Sequence, residues 1–254
     1  RESFEGVDKH DTVLRRLAHA YADVGDPWPA VEAFQEYLGG APEADQLDDW
    51  RQLIRLYEDE IGDQQTAYAL QWRILEEFPR SESDLERLVA LAYRADDIEG
   101  CVDRLEERAA QVSGDDRRVL LERAARVADE DLQLWEEAVR LYSRVLDMVE
   151  PGSDDELDVI RRKVLCLSRI MGREEEAMDA FGDLLEADPF EPTAYRAMLQ
   201  LFEREKTHDR VRLTRQVLEA LNCEVDRSEV RTKMAPARAF DERTIEENLL
   251  PETL

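Results

Sequence analysis

Two 18-residue stretches of the 254-residue chain spell one pattern: GDPWPAVEAFQEYLGGAP from Gly25 to Pro42, and GREEEAMDAFGDLLEADP from Gly172 to Pro189. They agree at Ala30/Ala177, Ala33/Ala180, Phe34/Phe181 and Leu38/Leu185. A repeated segment constrains the fold more than composition does, because a short unit cannot bury its apolar face alone and needs a stacked neighbour. Candidate helix-ending prolines set the period. Pro42, Pro79, Pro151 and Pro189 stand 37, 72 and 38 residues apart, so the middle interval holds two units.

Apolar spacing supplies the conformation. Leu14, Leu17, Ala18 and Tyr21 fall on one face of a helix, the pattern expected for a half-buried amphipathic segment. Gly25 ends that helix, where a residue without Cβ takes the left-handed cap conformation. Ala30, Phe34 and Leu38 form the stripe of a second helix, and Pro42 is expected to stop it.

This helix–turn–helix unit resembles the tetratricopeptide (TPR) repeat. Residues 11–44 carry the pattern as Leu14, Leu17-Ala18, Tyr21, Gly25, Ala30-x3-Phe34 and Pro42. Residues 47–80 carry it as Trp50, Leu53-Ile54, Tyr57, Ala67 and Pro79, with one extra residue expected in the turn between helices. Residues 118–151 have Leu121, Ala124-Ala125, Ala128, Ala138-x3-Tyr142 and Pro151, again one residue long. Residues 158–191 have Val164-Leu165, Gly172, Ala177-x3-Phe181 and Pro189. Residues 192–223 keep Tyr195, Met198-Leu199 and Phe202 but lack the turn Gly and the terminal Pro. The weakest unit is 82–115, with Leu85, Leu88 and Tyr93, and with Gly100 where Ala is usual. The ending of the chain is also similar to the C-terminal region of long bacterial tandem-TPR proteins.

The resemblance implies an all-α, right-handed TPR-like α-solenoid of about six helix–turn–helix repeats with a C-terminal capping segment. Residues 1–10 are a lead-in or the end of a preceding repeat, 11–223 the solenoid, and 224–254 the cap and tail. Within that tail, 224–234 reads as a short capping helix, 235–240 as a strap held extended by Pro236, and Asp241 as the N-cap of a last helix stopped by Pro251.

Composition decides which partners to expect. There are 61 acidic and 34 basic residues, a formal charge of −27. Nucleic acid needs a basic stripe, and an anionic membrane surface repels the same excess. No apolar run reaches the roughly 18 residues of a membrane span. Cys101, Cys166 and Cys223 are odd in number and form no CxxC, so they read as buried free thiols of a reducing, cytoplasmic compartment. The chain starts with Arg1 and not Met, which reads as a fragment or a processed product. His10, His19 and His208 have no metal-binding mate at helical spacing, and no phosphate loop, nucleophile elbow or Cys–His pair occurs. No cofactor, no metal and no catalysis are therefore expected. Of the tryptophans, Trp28, between Pro27 and Pro29, is the one expected to be exposed.

Against this acidity, one basic pattern stands out. The two residues before the position of Leu17 read Arg15-Arg16, Arg51-Gln52, Glu86-Arg87, Glu122-Arg123, Arg162-Lys163 and Arg196-Ala197 in successive units. In TPR geometry the first helices line a concave surface. The resemblance therefore places Arg15, Arg51, Arg162 and Arg196 on that surface, with Arg55, Arg126 and His19 on the same helices. Arginine forks recognise carboxylates bidentately, which suggests a partner protein or peptide. The same arginines also lie four residues after acids (Asp11 before Arg15, Asp158 before Arg162), so ion pairs within the helix are the alternative. Asn222 and Asn248 are the only asparagines and lie outside these helices, unlike the TPR subclass that clamps chaperone carboxyl termini. The expected function is a non-catalytic interaction scaffold. A regulatory or sensor portion of a larger protein and a structural assembly subunit are the alternatives.

Overall fold

The structure, a computed structural model, describes residues 2–221, with side chains from residue 10 onward. Twelve α-helices occur among these residues, and no strand. They form six antiparallel pairs: α1 (Glu2–Val24) with α2 (Pro27–Tyr37), α3 (Leu47–Arg55) with α4 (Gln64–Glu77), α5 (Glu82–Arg94) with α6 (Ile98–Gln111), α7 (Gly114–Arg126) with α8 (Trp135–Leu146), α9 (Asp154–Arg169) with α10 (Glu174–Ala187), and α11 (Pro192–Arg204) with α12 (His208–Ala220). The expected all-α solenoid of six repeats is what the chain folds into. The cap and tail expected at 224–254, and Cys223, lie outside the described residues.

One backbone feature sets the register of all six units. Each turn within a pair contains one residue in the left-handed region: Gly25, Gly62, Asp96, Gln133, Gly172 and Lys206, with φ between 55° and 86°. The following amide reaches back to close the first helix, as Asp26 N–H does to Tyr21 O, Asp97 N–H to Ala92 O and Thr207 N–H to Phe202 O. Five residues after the left-handed one comes a small side chain with no exposed surface in the first five units: Ala30, Ala67, Cys101, Ala138 and Ala177. Four residues further comes its bulky companion, Phe34, Leu105, Tyr142 or Phe181, also fully buried. The small residue lets the paired helices approach, and the large one fills the space beyond it. In the second unit this companion is Gln71, buried and donating to Asp84 O at 3.1 Å.

The structure corrects three local expectations. In the third unit the small crossing residue is Cys101 and not Gly100. In the second and fourth units the extra residue sits in the first helix and not in the turn, where Leu56–Ile61 and Val127–Asp131 close as a turn of π-helix. An insertion of one residue into a helix is absorbed this way without breaking the ladder. Third, α2 ends at Tyr37 and α8 at Leu146, well before Pro42 and Pro151, with Gly39 and Gly40 following the former. Pro79 and Pro189 act as expected, since the residues before them, Phe78 and Asp188, leave the helical region as proline requires of its predecessor. At the start, α1 already runs through residues 2–10, which contain no proline.

Half of the left-handed positions are not glycine, and there the Cβ meets the following carbonyl. Gln133→Gly and Lys206→Gly are each expected to raise stability by about 0.5–1 kcal/mol, the relief of strain less the added freedom of the unfolded chain. Asp96→Gly should gain less, because aspartate tolerates this conformation. The check is the urea midpoint at unchanged m-value; no increase for any of the three would refute the assignment of strain.

Candidate functional site

Successive first helices are joined by arginine–carboxylate pairs that cross from one unit to the next. Arg15 Nε lies 2.8 Å from Asp49 Oδ2, an ion pair without the alignment of a hydrogen bond, and His19 Nε2 lies 2.7 Å from Asp49 Oδ1. Arg51 donates through Nη2 to Asp84 Oδ2 at 2.7 Å and through Nε to Oδ1 at 3.1 Å. Arg80, in the segment just before α5, pairs with Asp116 of α7, Arg118 Nη1 lies 3.5 Å from Asp155, and Arg161 Nη2 lies 2.7 Å from Glu191. Every junction between units is crossed by at least one such pair.

The acceptors are the unusual members of this series. Asp49, Asp84 and Glu191 are almost completely buried, at or near the beginning of α3, α5 and α11. A carboxylate at a helix start faces the positive end of the helix dipole, and Glu191 also caps α11 by accepting from Thr193 N–H. Burial pushes the Asp84 carboxyl up, but hydrogen bonds from Arg51 and Ser81 and the Arg51 charge outweigh it and hold Asp84 below the usual carboxylate range. Glu191 is held low in the same way, with Thr193 and Arg161 overcoming its burial. On the other layer the second helices are laced together too. Arg73 donates to Gly40 O, Arg108 to Glu76 O, and Arg140 and Arg144 to Glu106.

The seven candidate residues therefore divide. Arg15, His19 and Arg51 face buried carboxylates of the next unit. Arg162 reaches Glu130 at 2.8 Å and Asp158 at 3.2 Å, the latter being the pair four residues apart within α9. Arg126 is held by Glu122 on its own helix. Arg55 and Arg196 are exposed and have no ion pair among the described residues. Between α7 and α9, Asp129, Glu130, Asp158, Arg161, Arg162, Leu165 and Arg169 line an open cleft of about 670 Å³. Its charges are mutually paired, Arg169 Nη1 lying 2.8 Å from the buried Asp129.

The residues missed from the sequence are the carboxylates. Asp49 and Asp84 directly precede the apolar positions Trp50 and Leu85, and that adjacency was their signal. The thiols of Cys101 and Cys166 are free and buried, and burial pushes the Cys101 thiol up to about 12, which leaves it protonated and unreactive at neutral pH. Among the described residues no group of three or more His, Cys, Asp or Glu could hold a metal ion. No described helix is long and apolar enough to cross a membrane. Trp28 is 60% exposed, as expected, while Trp50 is buried.

No protein-family model matches the chain, and no curated protein does. Among solved structures it is similar to MamA of AMB-1, at 17% identity and a TM-score of 0.36, over 84% of this chain and 98% of that one. A MamA mutant is similar at 17% identity and a TM-score of 0.40, with the same coverage. A structure from Podospora anserina, described as a putative kinesin light chain with nearly identical TPR-like repeats, is similar at 16% identity and a TM-score of 0.39, over 85% of this chain and 97% of that one.

Proposed function

We propose that the chain is a protein–protein interaction scaffold that receives carboxylates of a partner protein or peptide on the face formed by its first helices. The observation that carries this reading is the pair Arg55 and Arg196, exposed on first helices and lacking an ion pair among the described residues, in a protein where most arginines are matched. An unmatched guanidinium on such a face gains a charge-assisted hydrogen bond only from something that docks there. Arg15, His19, Arg51, Arg126 and Arg162 then shape and rigidify the face, and a partner carboxylate would have to compete with their present acceptors. Affinity in such a site concentrates in a few anchors.

The test uses labelled acidic peptides and the protein carrying Arg55→Glu and Arg196→Glu together, with Arg212→Glu on α12 as the control. The expected result is a five- to tenfold weaker affinity for the double variant and little change for the control. Equal affinities for the wild type and the double variant, with helicity intact, would sink the reading. A structural assembly subunit is the second reading. It is favoured by the exposed Val13, Leu17 and Val24 on α1 and the exposed Leu213 and Val217 on α12, which could stack end to end as successive units do. A strictly monomeric chain by light scattering would remove it.

A further inference from the structure

A second groove adjoins the cleft between α7 and α9, sharing Gln133 and Trp135 with it, where α6, the α7–α8 turn and the start of α8 meet. It has a volume of about 700 Å³ and opens to solvent. Val102, Leu132, Leu134, Trp135 and Ile170 make its apolar lining. Val102 and Ile170 are nearly buried, whereas Leu134 is 46% exposed. The π-helical turn Val127–Asp131 directly precedes Leu132–Leu134, which form one wall.

The rim of this groove is acidic in a specific way. Glu99, Asp103, Glu106, Glu136 and Glu137 stand around it, against a single base, Arg140. That base is already occupied: Arg140 donates to Glu106 and to Glu137, and these bonds push its pKa up. Arg144 adds a second donor to Glu106. Glu99 and Asp103, one turn apart on α6, are exposed and have no ion pair among the described residues. Glu136, also exposed, makes none within pairing distance there, although its charge is felt by Arg173. Three rim carboxylates are thus left without an arginine partner among the described residues, beside exposed apolar surface.

We infer that this groove is a docking site for a basic, amphipathic helical segment of a partner protein. Its apolar residues would lie on Leu134, Trp135 and Leu132, and its Lys or Arg side chains would pair with Glu99, Asp103 and Glu136. Charge complementarity selects this occupant, since an acidic or neutral segment would leave those carboxylates unpaired at an interface. The recognition mode is a helix laid in a groove, with anchors at i and i+4. The site lies apart from Arg55 and Arg196, so its failure and that of the carboxylate-receiving face are measured independently.

The experiment is fluorescence anisotropy with a short labelled peptide carrying Leu at i, i+4 spacing and Lys between. Two further peptides replace its Leu by Ser or its Lys by Glu. The protein is used as wild type, as Glu99→Lys with Asp103→Lys, as Leu134→Ser, and as a control with Asp183→Lys and Glu186→Lys on the exposed side of α10. The expected result is saturable binding of the Lys/Leu peptide only. It should weaken at least tenfold in the groove reversal and severalfold in Leu134→Ser, and less than threefold in the control. Equal weakening in the groove reversal and the control would mean attraction to net charge alone and would overturn the site. So would undiminished binding of the Leu-free peptide, or no saturable binding to the wild type.

Discussion

Trp50→Ala is expected to destabilise the protein by about 3–5 kcal/mol, the range for removing a large aromatic side chain from a packed core. Trp50 retains only 1% of its surface, and it lies under a lid. The Arg73 guanidinium sits 4.6 Å from its ring centroid, while the same arginine donates to Gly40 O at 2.6 Å. Arg73 thereby ties α4 to the segment linking the first two units, and the indole is the platform that positions it. Removing the ring creates a cavity and leaves the guanidinium without its cation–π partner. In a solenoid each unit contacts only its neighbours, so the loss falls on one junction and not evenly over the chain. Urea unfolding of the variant should therefore split, with the first pair releasing before the remainder. Trp28→Ala, on a side chain that is 60% exposed, should stay within about 0.5 kcal/mol of wild type. A single, unshifted transition for Trp50→Ala would contradict the packing described.

How far the sequence carried depended on the range of each interaction. The apolar stripes of α1 and α2, the left-handed Gly25, and the Ala-x3-aromatic spacing at Ala30/Phe34 and Ala177/Phe181 are set within one unit, and periodicity reveals them. The π-helical turns were harder. An extra residue is visible as a longer spacing between Tyr57 and Ala67, but spacing does not say whether a helix or a turn absorbs it. Cys101 was hidden by Gly100, since small residues stand at both positions and only the turn at Asp96 fixes the register. The site was least legible. Arg15 and Arg51 could be read as partner contacts because their acceptors, Asp49 and Asp84, lie on the next first helix. A local reading finds Asp11 four residues before Arg15 and stops there. The acidic groove combines α6, the α7–α8 turn and α8, which no single window of sequence contains.

Arg51→Ala is expected to cost about 2 kcal/mol, and its pH dependence separates a structural strut from a partner contact. Leaving a buried carboxylate without its cation costs roughly 3–5 kcal/mol when both groups are fully desolvated. The Arg51 side chain is 31% exposed while that of Asp84 is 3% exposed, so solvent screening lowers the figure. Arg51 also touches Asp48 at 3.2 Å, but that partner is 89% exposed and adds little. The sign follows from linkage. Because the folded pKa of Asp84 lies below its unfolded value, the pair's stabilisation is complete above the unfolded pKa, near 3.9, and is lost as pH falls through the folded one. The difference between wild type and Arg51→Ala should thus be largest near neutral pH and shrink below about pH 4 as Asp84 protonates. Replacing both partners by apolar side chains, Arg51→Met with Asp84→Leu, should recover much of the loss, because no charge remains buried. Arg55→Ala, one turn further along the same helix and without a carboxylate among the described residues, should change stability by less than about 0.5 kcal/mol at any pH. Equal, pH-independent effects for Arg51→Ala and Arg55→Ala would remove Arg51 from the structural ladder and leave it, with Arg55, on the face proposed to receive a partner.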